Sequence, residues 1–261
     1  MIEDCSIIDS HAHLDFDVFD AHRAKLFHQM RQEGVNTLVL PGVSSLHWEK
    51  QLKVATEYHC PFALGLHPWY LTAENSENDV GALKGLLEAH KLNLRLVALG
   101  ECGLDKRCQT DWQLQLRVFH QQIALAKEYD LPLMLHSVKS DGEMLAILRS
   151  VRHQKTGVIH GFSGAPEVAK AYFALDYKLG IGPLLLNSNA KKLRKTVQEL
   201  PLNAFVIETD MSREASKKTP FSTNIAHILH SIIDEMAKIH KKSPVLISKQ
   251  LRINTCELYN I

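Results

Sequence analysis

Eight short apolar runs recur along this chain. Each is followed by a polar or glycine-containing loop and, in most cases, by a segment of helical period. The runs are SIIDSHAHLD, NTLVLPGV, PFALGLHP, RLVALGECGLD, LPLMLHS, TGVIHGFSG, YKLGIGP and NAFVIETD. Apolar stretches of this length alternating with helices are the signature of βα units. Their continuous Val, Ile and Leu character suits strands covered on both faces, as parallel strands are. Eight units in 261 residues match a closed barrel, for which about 250 residues is typical. The expected fold is therefore α/β, a (β/α)8 TIM barrel in which residues 1–261 form a single domain. Local signals mark helix ends: TDWQ at Thr110 to Gln113 reads as a capping box opening a helix to about Tyr129, and Gly34 closes a helix from about Ala21. Pro166 sits in a first helical turn, and Ser243 with Pro244 begins the last helix.

The polar residues of these runs are not scattered. His11 and His13 end the first run, His67 the third, Glu101 the fourth, His136 the fifth, His160 the sixth, and Glu208 with Asp210 the eighth. All lie on the carboxyl side of their apolar stretch, which is the barrel face where strand ends converge and active sites are built. In an extended strand Asp9, His11 and His13 project to one side, and two imidazoles a strand repeat apart form a pincer for a metal ion. Asp9 either accepts a hydrogen bond from a ligand imidazole or makes a simple strand-end hydrogen bond. His22, His28, His90, His120, His153, His227, His230 and His240 fall on expected helices or their ends, where a solvated or half-buried histidine needs no function. Alternation turns Cys102 away from the face that Glu101 shares.

Charge narrows the partners. Thirty basic residues against 29 acidic leave a net charge of +1, so any nucleic acid is held through a local patch rather than by overall charge. No run approaches the length of a membrane span and the opening MIEDC has no basic leader region, so the expectation is a cytoplasmic protein without a membrane partner. The five cysteines are scattered and contain no C-x-x-C, which argues for free thiols over a disulfide frame or thiolate zinc site.

The motifs DSHAHLD, GLHP, GECGLD, LHS, HGFSG and ETD, in this order, resemble the TatD family of metal-dependent hydrolases within the amidohydrolase superfamily, and the similarity runs through AKEYDLP to the closing NTCELYNI. The resemblance implies a barrel, one or two divalent ions per chain, and hydrolysis, in several members of DNA phosphodiesters. Carried over by position, it implies that His11 and His13 are the first pair of metal ligands and Glu101 a carboxylate bridging two ions. His136 and His160 are then ligands of the second ion. Asp210 binds metal and accepts the proton of the attacking water, with Glu101 and Asp210 as the catalytic pair, and His67 contacts substrate. Three positions depart from the family pattern: Val138 replaces a common arginine after HS, Met211 and Ser212 replace the usual Ala-Pro after ETD, and GIGP stands for GIGG. These border the expected substrate pocket, while the metal-ligand positions are intact.

Four imidazoles and two carboxylates without a thiolate suit zinc, manganese, cobalt or, less comfortably, magnesium. The leading expectation is a phosphodiesterase acting on DNA ends, with no obligate protein partner. A metal-dependent deacylase or amidase is the first rival, because fold does not fix substrate, and a non-catalytic metal-stabilised binding protein is the third. KKLRK at Lys191 to Lys195 and SKK at Ser216 to Lys218 are candidate phosphate contacts near the mouth.

Overall fold

The computed structural model of the chain describes residues 6–151, 155–212 and 225–261. Each of the eight apolar runs overlaps a strand: β1 (Ile7–Asp9), β2 (Val35–Leu38), β3 (Phe62–Leu64), β4 (Leu96–Asp105), β5 (Leu133–Val138), β6 (Gly157–Ile159), β7 (Lys178–Ile181) and β8 (Phe205–Ile207). β1 pairs parallel with β2, and β3 through β8 pair parallel in chain order. Two parallel bridges, Leu40 to Phe62 and Ala12 to Met211, join these sheets, and Ser10 N donates to Ile207 O at 2.9 Å across the β1/β8 seam. The ring is thereby closed, and closure removes the exposed sheet edges that an open sheet would present.

The helices are α1 (Arg23–Gln32), α2 (Trp48–Tyr58), α3 (Ser76–His90), α4 (Trp112–Glu128), α5 (Asp141–Val151), α6 (Pro166–Phe173), α7 (Lys191–Glu199), α8 (Ile225–His240) and α9 (Pro244–Tyr259). Ser243 caps α9 by accepting from Leu246 N, and Pro166 is the first residue of α6. Gly34, at φ +79°, follows α1, which begins two residues later than Ala21. The α4 cap is displaced by one residue from the expected capping box. Asp111 is the cap, its side chain accepting from Leu114 N at 2.9 Å, because the Thr110 hydroxyl instead donates to Pro68 O at 2.8 Å and ties down the loop after β3.

Strand alternation sorts the core into two parts. Leu133, Leu135, Ile159 and Ile207 join the large cluster under the helices. The residues between them, Met134, Val158 and Val206, pack with Val39, Ala63 and Ala98 in a smaller cluster closed by Leu258 and Tyr259 of α9. Tyr259 also donates its hydroxyl to Ser10 O at 3.3 Å. Two residues beyond Met134, Val158 and Val206, on the same face, stand His136, His160 and Glu208. The apolar floor of the barrel therefore sets the level at which its chemistry begins.

Cys60, Cys102, Cys108 and Cys256 are free thiols, and Cys102 packs in the helix-facing cluster as alternation requires. Cys5, His153 and Ser216 to Lys218 lie outside the described residues. Among the described residues no helix is long and apolar enough to cross a membrane.

Candidate metal centre

Glu101 is the hub of the site. The register of β4 against β5 shifts between Leu99 and Cys102, which leaves one extra residue in β4 at Gly100–Glu101. Such a bulge re-aims a side chain, and here the Glu101 carboxylate is buried at the carboxyl end of the barrel. Its Oε2 lies 3.2 Å from His11 Nε2 and 3.4 Å from His13 Nε2. Its Oε1 lies 2.7 Å from His160 Nε2, 3.0 Å from His136 Nδ1 and 3.2 Å from His67 Nε2. One carboxylate thus offers each oxygen to a different group of imidazoles. Asp210 completes the first group, its Oδ1 at 3.8 Å from both His11 Nε2 and His13 Nε2.

The spacing suits a metal ion. Donors around a tetrahedral ion at about 2.0–2.1 Å stand about 3.3–3.4 Å apart. His11 Nε2, His13 Nε2 and Glu101 Oε2 are 3.2 to 3.4 Å from one another, with Asp210 slightly outside that range. In the second group, His136 Nδ1 and His160 Nε2 are 3.1 Å apart. Three sets of donor atoms in the cluster are close enough to share an ion: His11, Glu101 and His160; His11, His13 and Asp210; and His67, Glu101 and His136.

The electrostatics agree with that chemistry. Burial pushes the His11 and His67 imidazoles down to about 4, which favours their neutral forms. Burial alone would raise the Glu101 carboxyl, but the surrounding histidines hold it well below the usual carboxylate range. At His160, burial is outweighed by Glu101 at 2.7 Å, and its value rises to about 10. An anionic carboxylate buried among imidazoles favours positive charge beside it, which a divalent cation held there would supply.

Supporting contacts fix the rings. His11 stacks on His160, with centroids 4.1 Å apart and planes 7° from parallel, and His13 stacks on Phe16 at 4.8 Å. His136 turns Nδ1 to Glu101 and Nε2 to Asp105 Oδ2, at 3.2 Å. Asp105 also accepts from Trp69 Nε1 at 2.6 Å and from Arg107 N at 2.7 Å. Burial would raise this carboxyl, but these hydrogen bonds hold it well below the usual range, so it is an acceptor and His136 Nε2 carries the proton. Asp105 was not among the residues singled out in the sequence. The available signal was alternation along GECGLD, which puts Glu101, Gly103 and Asp105 on one face.

Asp9 takes the simpler of its two expected roles. Its Oδ1 accepts from His11 N and Thr209 N, each at 3.1 Å, and its Oδ2 from the Thr209 hydroxyl at 2.6 Å. It thus ties β1 to the end of β8 and holds no imidazole. Glu208 is buried beneath the site, with Oε1 accepting from Gly161 N and lying 3.8 Å from His160 Nδ1. A Cβ at Gly180 would stand 2.2 Å from Glu208 Oε2, so β7 needs glycine there to make room for this carboxylate.

The cluster opens into a cleft of about 190 Å³, bordered by His13, His67, His136, His160, Asp210 and the exposed ring of Trp69. His67 both borders this cleft and contacts Glu101. Val138 is half-buried, Met211 is buried in the β1/β8 bridge, and Ser212 reaches the cleft.

A closed (β/α)8 barrel with imidazoles and carboxylates converging at the carboxyl ends of its strands has the architecture of a metal-dependent hydrolase. The family model described as TatD related DNase matches residues 8–260, and the chain belongs to the TatD family of metal-dependent hydrolases. It is 29% identical to the metal-dependent hydrolase YjjV of Escherichia coli K12, over 98% of this chain and 99% of that one. The crystal structure of that TatD homologue superposes with a TM-score of 0.87 over 99% of both chains. The 3′-5′ ssDNA/RNA exonuclease TatD of Erwinia tasmaniensis is 27% identical over 93% of this chain and 95% of its own length. The mouse putative deoxyribonuclease TATDN3 is 30% identical over 78% of this chain and 72% of its own.

Proposed function

We propose that the protein hydrolyses the phosphodiester at the 3′ end of single-stranded DNA, with one or two divalent ions held by His11, His13, Glu101, His136, His160 and Asp210. The observation that carries this reading is the division of Glu101, whose two oxygens each face a separate group of imidazole nitrogens at ligand spacing. The exonuclease and deoxyribonuclease names of relatives supply the substrate class. Bound divalent ions supply Lewis acidity, lowering the pKa of water from about 15.7 to about 7 and offsetting charge that develops on a phosphoryl group.

The chain's own residues do the rest. The Asp210 side chain is 43% exposed at the cleft, where its carboxylate takes the proton of the attacking water. His11, His13 and His160 hold their nitrogens inward through ring stacking, and Asp105 keeps the Nδ1 lone pair of His136 facing inward. His67 contacts the substrate at the cleft wall. Residues 1–261 act as a single barrel domain.

A second reading, an acyl or amide substrate, has one observation in its favour. Among the described residues no Lys or Arg lines the cleft, and Val138 stands where many family members carry arginine. Metal-reconstituted protein assayed on end-labelled single-stranded DNA, a generic phosphodiester and acyl substrates decides between the two. Shortening of the DNA from its 3′ end is expected; efficient acyl cleavage with intact DNA would replace the first reading by the second.

A further inference from the structure

Trp69 combines two properties that rarely occur together. Its side chain is among the most costly to leave in water, yet the residue is 53% exposed at the mouth of the cleft. Its orientation is nevertheless fixed at several points. The residue lies in the short 3-10 turn Pro68–Tyr70, its backbone N–H donates to His67 Nδ1 at 3.1 Å, and its indole Nε1 donates to Asp105 Oδ2 at 2.6 Å. The Thr110 hydroxyl holds the same turn through Pro68 O. The indole stands edge-on to His67 at 5.3 Å between centroids and to His136 at 6.4 Å. Tyr70, 39% exposed, adds a second ring to the cleft lining.

A rigid, open aromatic surface bordering a hydrolytic centre has the form of a stacking platform. Every nucleobase has a π-face, so a ring so placed binds single strands without reading sequence. The described lining of the cleft carries imidazoles, carboxylates and aromatic rings, and stacking on the indole can hold a strand end close to the metal centre. We infer that Trp69, with Tyr70 alongside, is a substrate subsite on which the 3′-terminal base of single-stranded DNA stacks, positioning the adjacent phosphodiester at the Glu101 centre. This inference rests on the phosphodiester reading above and adds to it the part of the substrate that is recognised.

The test compares a single-stranded oligothymidylate with the same oligonucleotide ending in an abasic 3′ residue, using metal-loaded full-length protein. The wild type is expected to favour the base-bearing end in kcat/KM by roughly 5- to 150-fold, the range that one base–aromatic stack supports. Trp69→Ala should bring that ratio close to one. Because both substrates share any loss that reaches Asp105 through the missing indole N–H, the ratio isolates stacking. Trp69→Phe keeps a ring without Nε1 and should retain part of the preference. As a readout independent of turnover, oligothymidylate should quench tryptophan fluorescence in the wild type and much less in Trp69→Phe, since Trp48 is buried and Trp112, half-buried with Lys106 over its ring, does not border the cleft. Protein that degrades both oligonucleotides equally well, or a Trp69→Ala variant that keeps the preference, overturns the platform and leaves the nuclease reading standing. Protein that degrades neither overturns the nuclease reading and the platform with it.

Discussion

The Asp105 carboxylate lies 3.2 Å from His136 Nε2, and this contact decides which nitrogen of that ring faces Glu101. Hydrogen bonds that include those from Trp69 and Arg107 hold Asp105 ionised, so it accepts from the ring and has no proton to donate. Asp105→Asn exchanges a charged acceptor for an amide that can turn its NH2 group toward His136 and favour the opposite tautomer. Loss of such a supporting contact typically lowers metal affinity by about 10- to 100-fold. Competition against a chromogenic chelator measures it, and unchanged affinity would dismiss the orienting role.

His11→Ala with His13→Ala should strip metal while leaving the barrel folded. The two rings sit at the functional end, and the apolar clusters beneath carry the packing. Elemental analysis should give less than half an equivalent of divalent metal, and far-UV circular dichroism should be unchanged. Collapse of the fold along with metal loss would contradict this separation.

Asp210→Asn retains shape and loses the proposed proton acceptor. Turnover should drop by about a hundredfold or more, within the general-base range of about 10² to 10⁴. Glu208→Gln should cost less, because that buried group touches Gly161 N and lies 3.8 Å from His160 Nδ1 without reaching the cleft. Steady-state kinetics of the two variants provides the comparison, and equal losses would reverse the assignment.

Gly180→Ala should be destabilising despite its small size. The added methyl would stand 2.2 Å from Glu208 Oε2, and overpacking of this kind costs about 1–3 kcal/mol. Urea unfolding monitors it. A midpoint equal to that of the wild type would mean that Glu208 can move without cost.

Lys191 and Lys192 open α7 on the barrel face that holds the cleft, and Lys195 follows one turn on, all three exposed. Replacing all three with Ala should weaken oligonucleotide binding at low salt and flatten its fall as salt rises. Hydrolysis of a small phosphodiester should scarcely change. Fluorescence anisotropy across a salt series tests the point, and an unaltered salt slope would remove these lysines from the DNA path.

The pattern GECGLD illustrates how far local sequence reaches. Strand alternation and the position of polar residues after apolar runs located Glu101 and the histidines on one barrel face, because both are properties of a few consecutive residues. The TDWQ segment shows where that reach ends. Its cap moved from Thr110 to Asp111 because Thr110 found Pro68 O, 42 residues away in the chain.

By itself the sequence determined the eight βα units, the face on which the chemistry lies and the donor atoms available there, since these follow from periodicity and residue type. Only the tertiary structure decided how those donors are shared: that Glu101 splits its oxygens between two groups, that Asp9 binds Thr209 instead of an imidazole, and that Asp105 links Trp69 to His136. Trp69 is 36 residues and His136 31 residues from Asp105 in the chain. Contacts over such separations depend on barrel closure, on the bulge in β4 and on the rotamer each side chain adopts against its neighbours, none of which a local pattern specifies.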